Sequence, residues 1–264
     1  MAADEPVPAG ADPWLALARH TPARIALGRV GASLPSAEVL RFGLAHAQAR
    51  DAVHRALDLA ACAGALAAAT GLPAQVVQSQ APDRATYLRR PDLGRRLAPA
   101  HAATLAMASP PPDLAVIVAD GLSALAVEAH ALPLLVRLRR ALADLHWAPL
   151  VVAGQGRVAL GDEIGERLGA RLALILIGER PGLSSPDSLG AYLTYAPRPG
   201  RSDAERNCVS NIRPAGLDYP RAAHTLAWLV REALQRRVTG VALKDESALR
   251  LLDGAAAAPD AEAD

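Results

Sequence analysis

The chain has 264 residues, a formal net charge of +1, 51% hydrophobic residues and 3% aromatics. That is length and apolar content for one large domain or two smaller ones with a sizeable core, and the near-zero charge gives no electrostatic reason to expect nucleic acid or an anionic membrane as partner. The two cysteines, Cys62 and Cys208, exclude a disulfide framework and a structural zinc site; with an N-terminus that lacks a basic, apolar leader, and apolar runs as short as Leu172–Ile177, a reduced cytoplasmic setting without a membrane span is expected.

Residues 1–11 read as a disordered start. Asp12-Pro13-Trp14 looks like an N-cap with Pro at the first helical position, opening a short helix to about Arg19. Residues 23–31, ARIALGRVG, are compact and Gly-punctuated and fit no single element. From Ser36 to Thr70 one long helical pattern runs through Val39, Leu40, Leu44, Val53, Leu57 and Leu66, stopped by Gly71-Leu72-Pro73. Residues 75–96 are polar and Arg-rich, broken by Pro91, and a further helix is expected over 98–107. Residues 12–108 thus form an expected N-terminal helical region, closed by the hinge-like connector Ser109-Pro110-Pro111-Pro112.

Beyond the connector the pattern changes. DLAVIVADG (113–121) reads as a buried strand, 122–145 as a helix interrupted by Pro133, and APLVVAG (148–154) as a second strand. A helix over 162–169 and a third strand, RLALILIGE (171–179), follow. AYLTYA (191–196) and NCVSNI (207–212) are weaker candidates for a fourth and fifth strand. An amphipathic helix at 220–237 closes the domain, and the acidic, Ala-rich tail (246–264) is expected to be disordered. The strand–helix alternation over 113–245 predicts an α/β fold: a Rossmann-like parallel sheet with helices on both faces.

In such a sheet, ligands bind beyond the carboxyl ends of the strands, where Asp120, Gly154–Val158 and Gly178–Gly182 fall. Gly154-Gln155-Gly156-Arg157-Val158-Ala159 fits the G-x-G-x-x-A dinucleotide fingerprint, with Glu179 ending the next strand. A free-standing NAD- or FAD-binding enzyme therefore stays open. An ordinary tight turn accounts for the same glycines equally well, and Asp162 and Glu163 in the following helix oppose a pyrophosphate. Ser184, Ser185 and Ser188 with Asp187 lack a nucleophile elbow and a partnered His, and read as a loop with capping residues. His20, His46, His54, His101, His130 and His224 show no metal-ligand spacing. Cys62 reads as a small core residue, and Cys208, among Arg206, Asn207, Ser210 and Asn211, as a buried structural cysteine by default. Arg84, Arg89, Arg90, Arg95 and Arg96 form a basic cluster. A phosphate or RNA contact is conceivable there, but the scarcity of aromatics favours a surface for a partner subunit.

Six stretches carry a resemblance. RIALGRVGAS, YLRRPDLGRRL, VADGLSALAV, QGRVALGDEIGERLGA, LILIGERPGLSSPDSLGAYLTYAPR and AERNCVSNIRPAGL, in this order from about residue 25 to about residue 243, resemble the small (light) subunit of ethanolamine ammonia-lyase. IGERPG followed by RNCVSNI is not a generic α/β pattern. The resemblance implies a carbon–nitrogen lyase built as a hexamer of heterodimers. A large TIM-barrel subunit holds ethanolamine, and adenosylcobalamin lies between the two chains for radical deamination to acetaldehyde and ammonia. The isolated small chain is then inactive and carries no catalytic residue. The resemblance assigns cobalamin contacts to Val158 in QGRVAL, Glu179 in IGERPG and Cys208 in NCVSNI, where Val209 stands in place of the family's Ile. The cobalamin motif D-x-H-x-x-G is not matched: Asp144-Leu145-His146-Trp147-Ala148-Pro149 has Pro for Gly and precedes a strand, so it reads as a helix end, and the cofactor's own base stays on cobalt. The short acidic start lacks the long extension that directs some members into a bacterial microcompartment, so the cytoplasm is the expected location and the microcompartment the alternative. A purely structural partner subunit is a further alternative.

Overall fold

The computed structural model describes residues 14–21, 23–107 and 109–248; the stretches expected to be disordered lie wholly or mostly outside these. A short helix α1 (Leu15–Ala18) and an irregular stretch lead to α2 (Ser36–His54) and α3 (Leu59–Thr70). The pattern that predicts one continuous helix is broken by an 83° bend. Arg55 leaves helical geometry at ψ 131°, and the Asp58 side chain accepts the Ala61 N–H at 2.9 Å, capping α3 and starting a new axis. As expected, α3 ends at Gly71, whose φ of 70° suits glycine and whose N–H bonds to the Ala67 carbonyl. No single described helix is long and apolar enough to cross a membrane; α2 and α3 pass that test only when joined across their bend.

The polar segment after α3 contains a strand that the pattern conceals, β1 (Ala74–Gln78), and a short helix α4 (Arg84–Arg89). The helix expected over 98–107 is reduced to α5 (Pro99–Ala102). Then come β2 (Leu114–Ala119), α6 (Ala124–Ala141), β3 (Leu150–Gly154), α7 (Leu160–Arg167), β4 (Leu172–Gly178), β5 (Leu189–Tyr195), β6 (Arg206–Ile212) and α8 (Tyr219–Arg236). They build one sheet in the order β1-β3-β2-β4-β5-β6. Because β1 pairs with β3 from Ala74↔Leu150 to Gln78↔Gly154, the sheet draws on both sides of the 109–112 connector.

The first four strands in that order run parallel, whereas β5 is antiparallel to both β4 and β6. The expected all-parallel, Rossmann-like sheet is therefore corrected to a mixed one. The reason lies in the connections. A parallel return needs a crossover of roughly a dozen residues or more, usually helical. Residues 179–188 contain no helix and residues 196–205 only one short 3-10 turn, Asp203–Glu205, so each strand folds back on its neighbour.

Period-two alternation sorts the strand side chains into two layers. Val116, Val118, Leu150, Val152, Leu174, Leu176 and Leu193 pack with α3, α6 and α8. Ile117, Ala119, Val151, Ala153, Ile175 and Ile177 pack on the other side with α7 and the segment containing Leu97 and Leu105. Helices on both faces are thus observed. Every residue of β2, β3 and β4 is buried. Side-chain caps set the helix starts: Ser123 accepts the Ala126 N–H at α6 and Asp218 the Arg221 N–H at α8.

One close approach fixes the layout of the strand ends. At Gly178 a Cβ would overlap the Ser123 carbonyl oxygen and lie 2.6 Å from that of Asp120. Both neighbours are backbone and cannot rotate away. Gly178→Ala is expected to lower stability by about 3 kcal/mol, the upper end for overpacking; a urea unfolding midpoint equal to that of the parent chain would contradict this.

Candidate functional site

The crevice at the parallel strand ends is filled by the chain itself. Asp120, 2% exposed, accepts the Gly156 N–H at 3.1 Å and lies 3.5 Å from the Arg84 guanidinium. Arg84 therefore leaves the basic cluster and turns inward. It donates to the carbonyl oxygens of Gly121 (2.8 Å) and Val53 (2.6 Å) and to Gln155 Oε1 (3.3 Å). Desolvation works against both partners, pushing the Asp120 carboxyl up and the Arg84 guanidinium down, while each charge partly restores the other. Tyr87 is fully buried, its hydroxyl donating to the Gly156 carbonyl at 3.0 Å. Its ring is flanked by two guanidinium carbons, 4.8 Å (Arg84) and 4.2 Å (Arg157) from the centroid.

The glycine spacing has a packing explanation. A Cβ on Gly154 would overlap Gln78 Oε1 and lie 2.8 Å from Leu59 Cδ1, and one on Gly156 would lie 2.9 Å from the Ala119 Cβ. These glycines admit neighbouring parts of the same chain, which supports the tight-turn reading over the dinucleotide one.

The polar groups that face outward lie on the α7 side of the sheet, toward β5 and β6. Glu179 follows β4 and is half-buried. Its Oε2 accepts the Asn211 N–H at 3.3 Å and the Ser188 hydroxyl, and its own N–H bonds to the Ser188 carbonyl at 2.9 Å. Beneath it lies Gly190, where a Cβ would come within 2.9 Å of Glu179 Oε1. Tyr192 and Cys208 face each other across β5 and β6 and are hydrogen-bonded. Cys208 is exposed, which corrects the buried structural default. Desolvation raises its thiol above the ordinary range, the Tyr192 hydrogen bond lowers it and the Glu179 charge raises it; the net rise keeps the thiol protonated at neutral pH. The Tyr192 hydroxyl is likewise pushed up, first by desolvation and then by Cys208 and Glu179. Val158, half-buried at the turn into α7, packs against the same apolar layer as Tyr192. Glu179 and Cys208 thus gather around Tyr192, and Val158 lies at the α7 edge of that layer.

Some of these partners had no signal in the sequence. His130 on α6 is buried; its Nδ1 contacts the Tyr219 hydroxyl at 2.8 Å and its Nε2 the Asp187 carboxylate at 3.2 Å. The Ser123 hydroxyl donates to the Pro186 carbonyl at 2.8 Å. Together they anchor the 179–188 loop, and Ser188 serves it as a donor to Glu179. Only folding brings these positions together. Asp144 pairs with Arg231 and His146 is exposed, in keeping with a helix end. Cys62 is half-buried, packed against the core and lining an apolar groove of about 320 Å³ between α3 and α6, its thiol raised to about 11 by burial and by the charges of Glu128 and Asp58. Among the described residues no cluster of His, Cys, Asp and Glu could hold a metal ion.

A second cavity, about 850 Å³, lies beside Val158 and is lined by Arg95, Arg96, Arg157, Arg201 and Arg206. Arg206 is buried against Asp162 and bonds Asp203 at 2.8 Å. The 199–206 wall is held by Glu205, which accepts the Ser202 N–H at 2.7 Å and pairs with Arg201.

These features define a mixed α/β chain whose outward polar groups sit on an open sheet face. A family model described as ethanolamine ammonia-lyase light chain matches residues 11–244. The chain is 58% identical over 258 residues to the ethanolamine ammonia-lyase small subunit of Azotobacter vinelandii, covering 96% of this chain and 95% of that one. The small subunits of Pseudomonas syringae pv. tomato (57% over 251 residues, 93% and 87% covered) and Ralstonia nicotianae (54% over 256 residues, 95% and 94% covered) are also similar. The chain belongs to the ethanolamine ammonia-lyase light-chain family.

Two outcomes follow from the charge networks. Arg84→Met leaves Asp120 buried without its cation and is expected to cost about 3–5 kcal/mol at neutral pH; Asp120→Asn in the same chain should recover part of it in unfolding measurements. Glu205 is drawn from 4.5 down to about 2, first by the Ser202 N–H and then by Arg201. Its contribution is fully present above pH 4.5 and is lost as pH falls toward 2. Glu205→Gln should therefore flatten that part of the acid unfolding profile, and an unchanged slope would contradict the assignment.

Proposed function

We propose that this chain is the small subunit of an adenosylcobalamin-dependent ethanolamine ammonia-lyase, forming one wall of the cobalamin site against a larger catalytic subunit, and that the pair deaminates ethanolamine to acetaldehyde and ammonia. The observation that carries the reading is the face around Glu179. One carboxylate oxygen is held by Ser188 and Asn211, the other lies over a glycine, and the exposed Cys208 stands beside it on strands that α7 leaves uncovered. A corrin ring is rimmed with amides and has a broad apolar face. Glu179 supplies a fixed acceptor for amide N–H groups, and Val158, Tyr192 and Cys208 supply an apolar wall.

When bound, the cofactor supplies the radical that removes hydrogen from the substrate. This chain's residues bind and orient it and exclude water; none is assigned to the substrate itself. The protonated Cys208 thiol contributes packing. The large partner agrees with apolar surface that water does not favour: Val39, Leu40, Phe42 and Leu44 on α2 are all exposed, Leu40 by 74%. By the same reading the complex is a hexamer of such pairs and works in the cytoplasm.

The test is reconstitution. The chain, its large subunit and adenosylcobalamin together should form acetaldehyde from ethanolamine, and neither chain alone should. Glu179→Gln should weaken cobalamin binding by the complex about tenfold, as loss of a charge-assisted hydrogen bond does, with kcat at saturating cofactor little changed. Full activity of the large subunit alone would overturn the proposal. Unchanged cobalamin affinity in Glu179→Gln and Cys208→Ala would reduce the chain to a structural partner, and binding of NAD or FAD to the isolated chain would restore the dinucleotide reading.

A further inference from the structure

The cavity beside Val158 holds positive charge that the chain does not neutralise. Its walls come from residues 91–96, the start of α7 and residues 199–206. Two of its three carboxylates have cations of their own, Asp92 with Arg90 at 2.7 Å and Glu163 with Arg167 at 3.4 Å, while Asp203 shares Arg206 with the buried Asp162. Among its guanidinium groups, Arg201 is paired with Glu205 and Arg206 with Asp162. Arg95, Arg96 and Arg157 have no carboxylate within salt-bridge distance among the described residues. The Nε atoms of Arg157 and Arg206 are buried without an acceptor. Both atoms are closed to solvent, so the charge open to the groove is that of Arg95 and Arg96, both exposed, and of the half-buried Arg157.

We propose that this groove is an anion subsite for a phosphodiester, the one on the nucleotide tail of a cobalamin bound against Val158. It rests on the reading of Val158, Glu179 and Cys208 given above. A phosphodiester carries one charge and two free oxygens, which suits neighbouring guanidinium forks better than a neutral amide does. A nucleic acid strand would need aromatic platforms, and Tyr87 is fully buried with two guanidiniums against its ring. Asp162 and Glu163, whose charges at the start of α7 oppose a phosphate, are neutralised by Arg206 and Arg167. Val158 belongs to both the groove wall and the apolar layer of the sheet face, so one ligand can reach both.

The complex of this chain with its large subunit is titrated spectroscopically, in phosphate-free buffer, with adenosylcobalamin, adenosylcobinamide phosphate and adenosylcobinamide, the last lacking both phosphate and tail. In the double variant Arg95→Gln/Arg96→Gln, affinity for the first two should fall about tenfold or more, as loss of charge-assisted bonds does, while adenosylcobinamide binds as before. Inorganic phosphate should compete with the first two ligands only. Unchanged adenosylcobinamide binding also shows that the variant folds and assembles. Equal losses for all three ligands, or no loss for any, would overturn the subsite. So would phosphate that binds the complex without weakening cobalamin, because the anion then has another source. If Glu179→Gln weakens adenosylcobinamide binding while the arginine variant changes nothing, only the groove assignment falls. If the parent complex binds none of the three, the cobalamin reading falls and the subsite with it.

Discussion

A single guanidinium ties the strand ends of this fold together. Arg84, from α4, reaches the backbone at the end of α2, the turn after β2 and the side chain of Gln155 after β3, while facing the buried carboxylate of Asp120. Asp120 in turn fixes the Gly156 N–H, and Tyr87 fixes the Gly156 carbonyl. A buried ion pair of this kind is weak evidence for stability, because desolvation opposes both charges. Its effect is geometric: it permits only one arrangement of four segments and so sets the turn that carries Val158.

That plug has a consequence for where a ligand can go. In an open parallel sheet, the crevice beyond the strand ends is the ordinary place for one. Here Arg84, Tyr87 and Gln78 occupy it, and the close approach of Gln78 and Leu59 to Gly154 leaves no bare backbone for a pyrophosphate. The available surface moves sideways, to the part of the sheet that β5 and β6 add. Those strands bury their other face on α6 and α8 and leave Tyr192 half-buried and Cys208 exposed. The antiparallel extension, rather than the parallel half, positions Glu179 and Cys208 together.

The legible parts of the sequence were those whose burial is complete. β2, β3 and β4 read as continuous apolar runs because parallel strands covered on both faces admit little else. β1 was concealed because it is an edge strand of mixed burial, AQVVQ, in a polar stretch. The break between α2 and α3 has no Gly or Pro to announce it; only the Asp58 cap does, and a capping Asp inside a helical pattern looks like a surface residue. The direction of β5 was written in the helix-free connections on either side of it rather than in the strand. Glu179 was legible as a strand-end acid and Val158 as part of a Gly-rich turn. The exposure of Cys208 was not, since polar neighbours on an edge strand look alike whichever face is covered. The roles of Ser188, Asn211 and His130 depend on contacts between distant positions, which spacing cannot convey.

The arginine-rich stretch shows how one composition serves two ends. Read together, Arg84, Arg89, Arg90, Arg95 and Arg96 are a single basic cluster. Folding sends Arg84 into the interior, pairs Arg90 with Asp92 and leaves Arg95 and Arg96 on the rim of the groove. A guanidinium suits each place for a different reason. Inside, its planar fork serves several acceptors at once; on the rim, its permanent charge waits for an anion. Lysine would satisfy neither well, since Arg84 serves Val53 from Nε and Gly121 and Gln155 from Nη1, where lysine has one nitrogen, and an ammonium holds a phosphate only as a point charge. Because Arg157 stacks on the same Tyr87 ring as Arg84, the interior network also fixes one side of the groove. The buried pair and the open anion surface are thus two sides of one wall, and a ligand that needs the second meets a surface the first has already ordered.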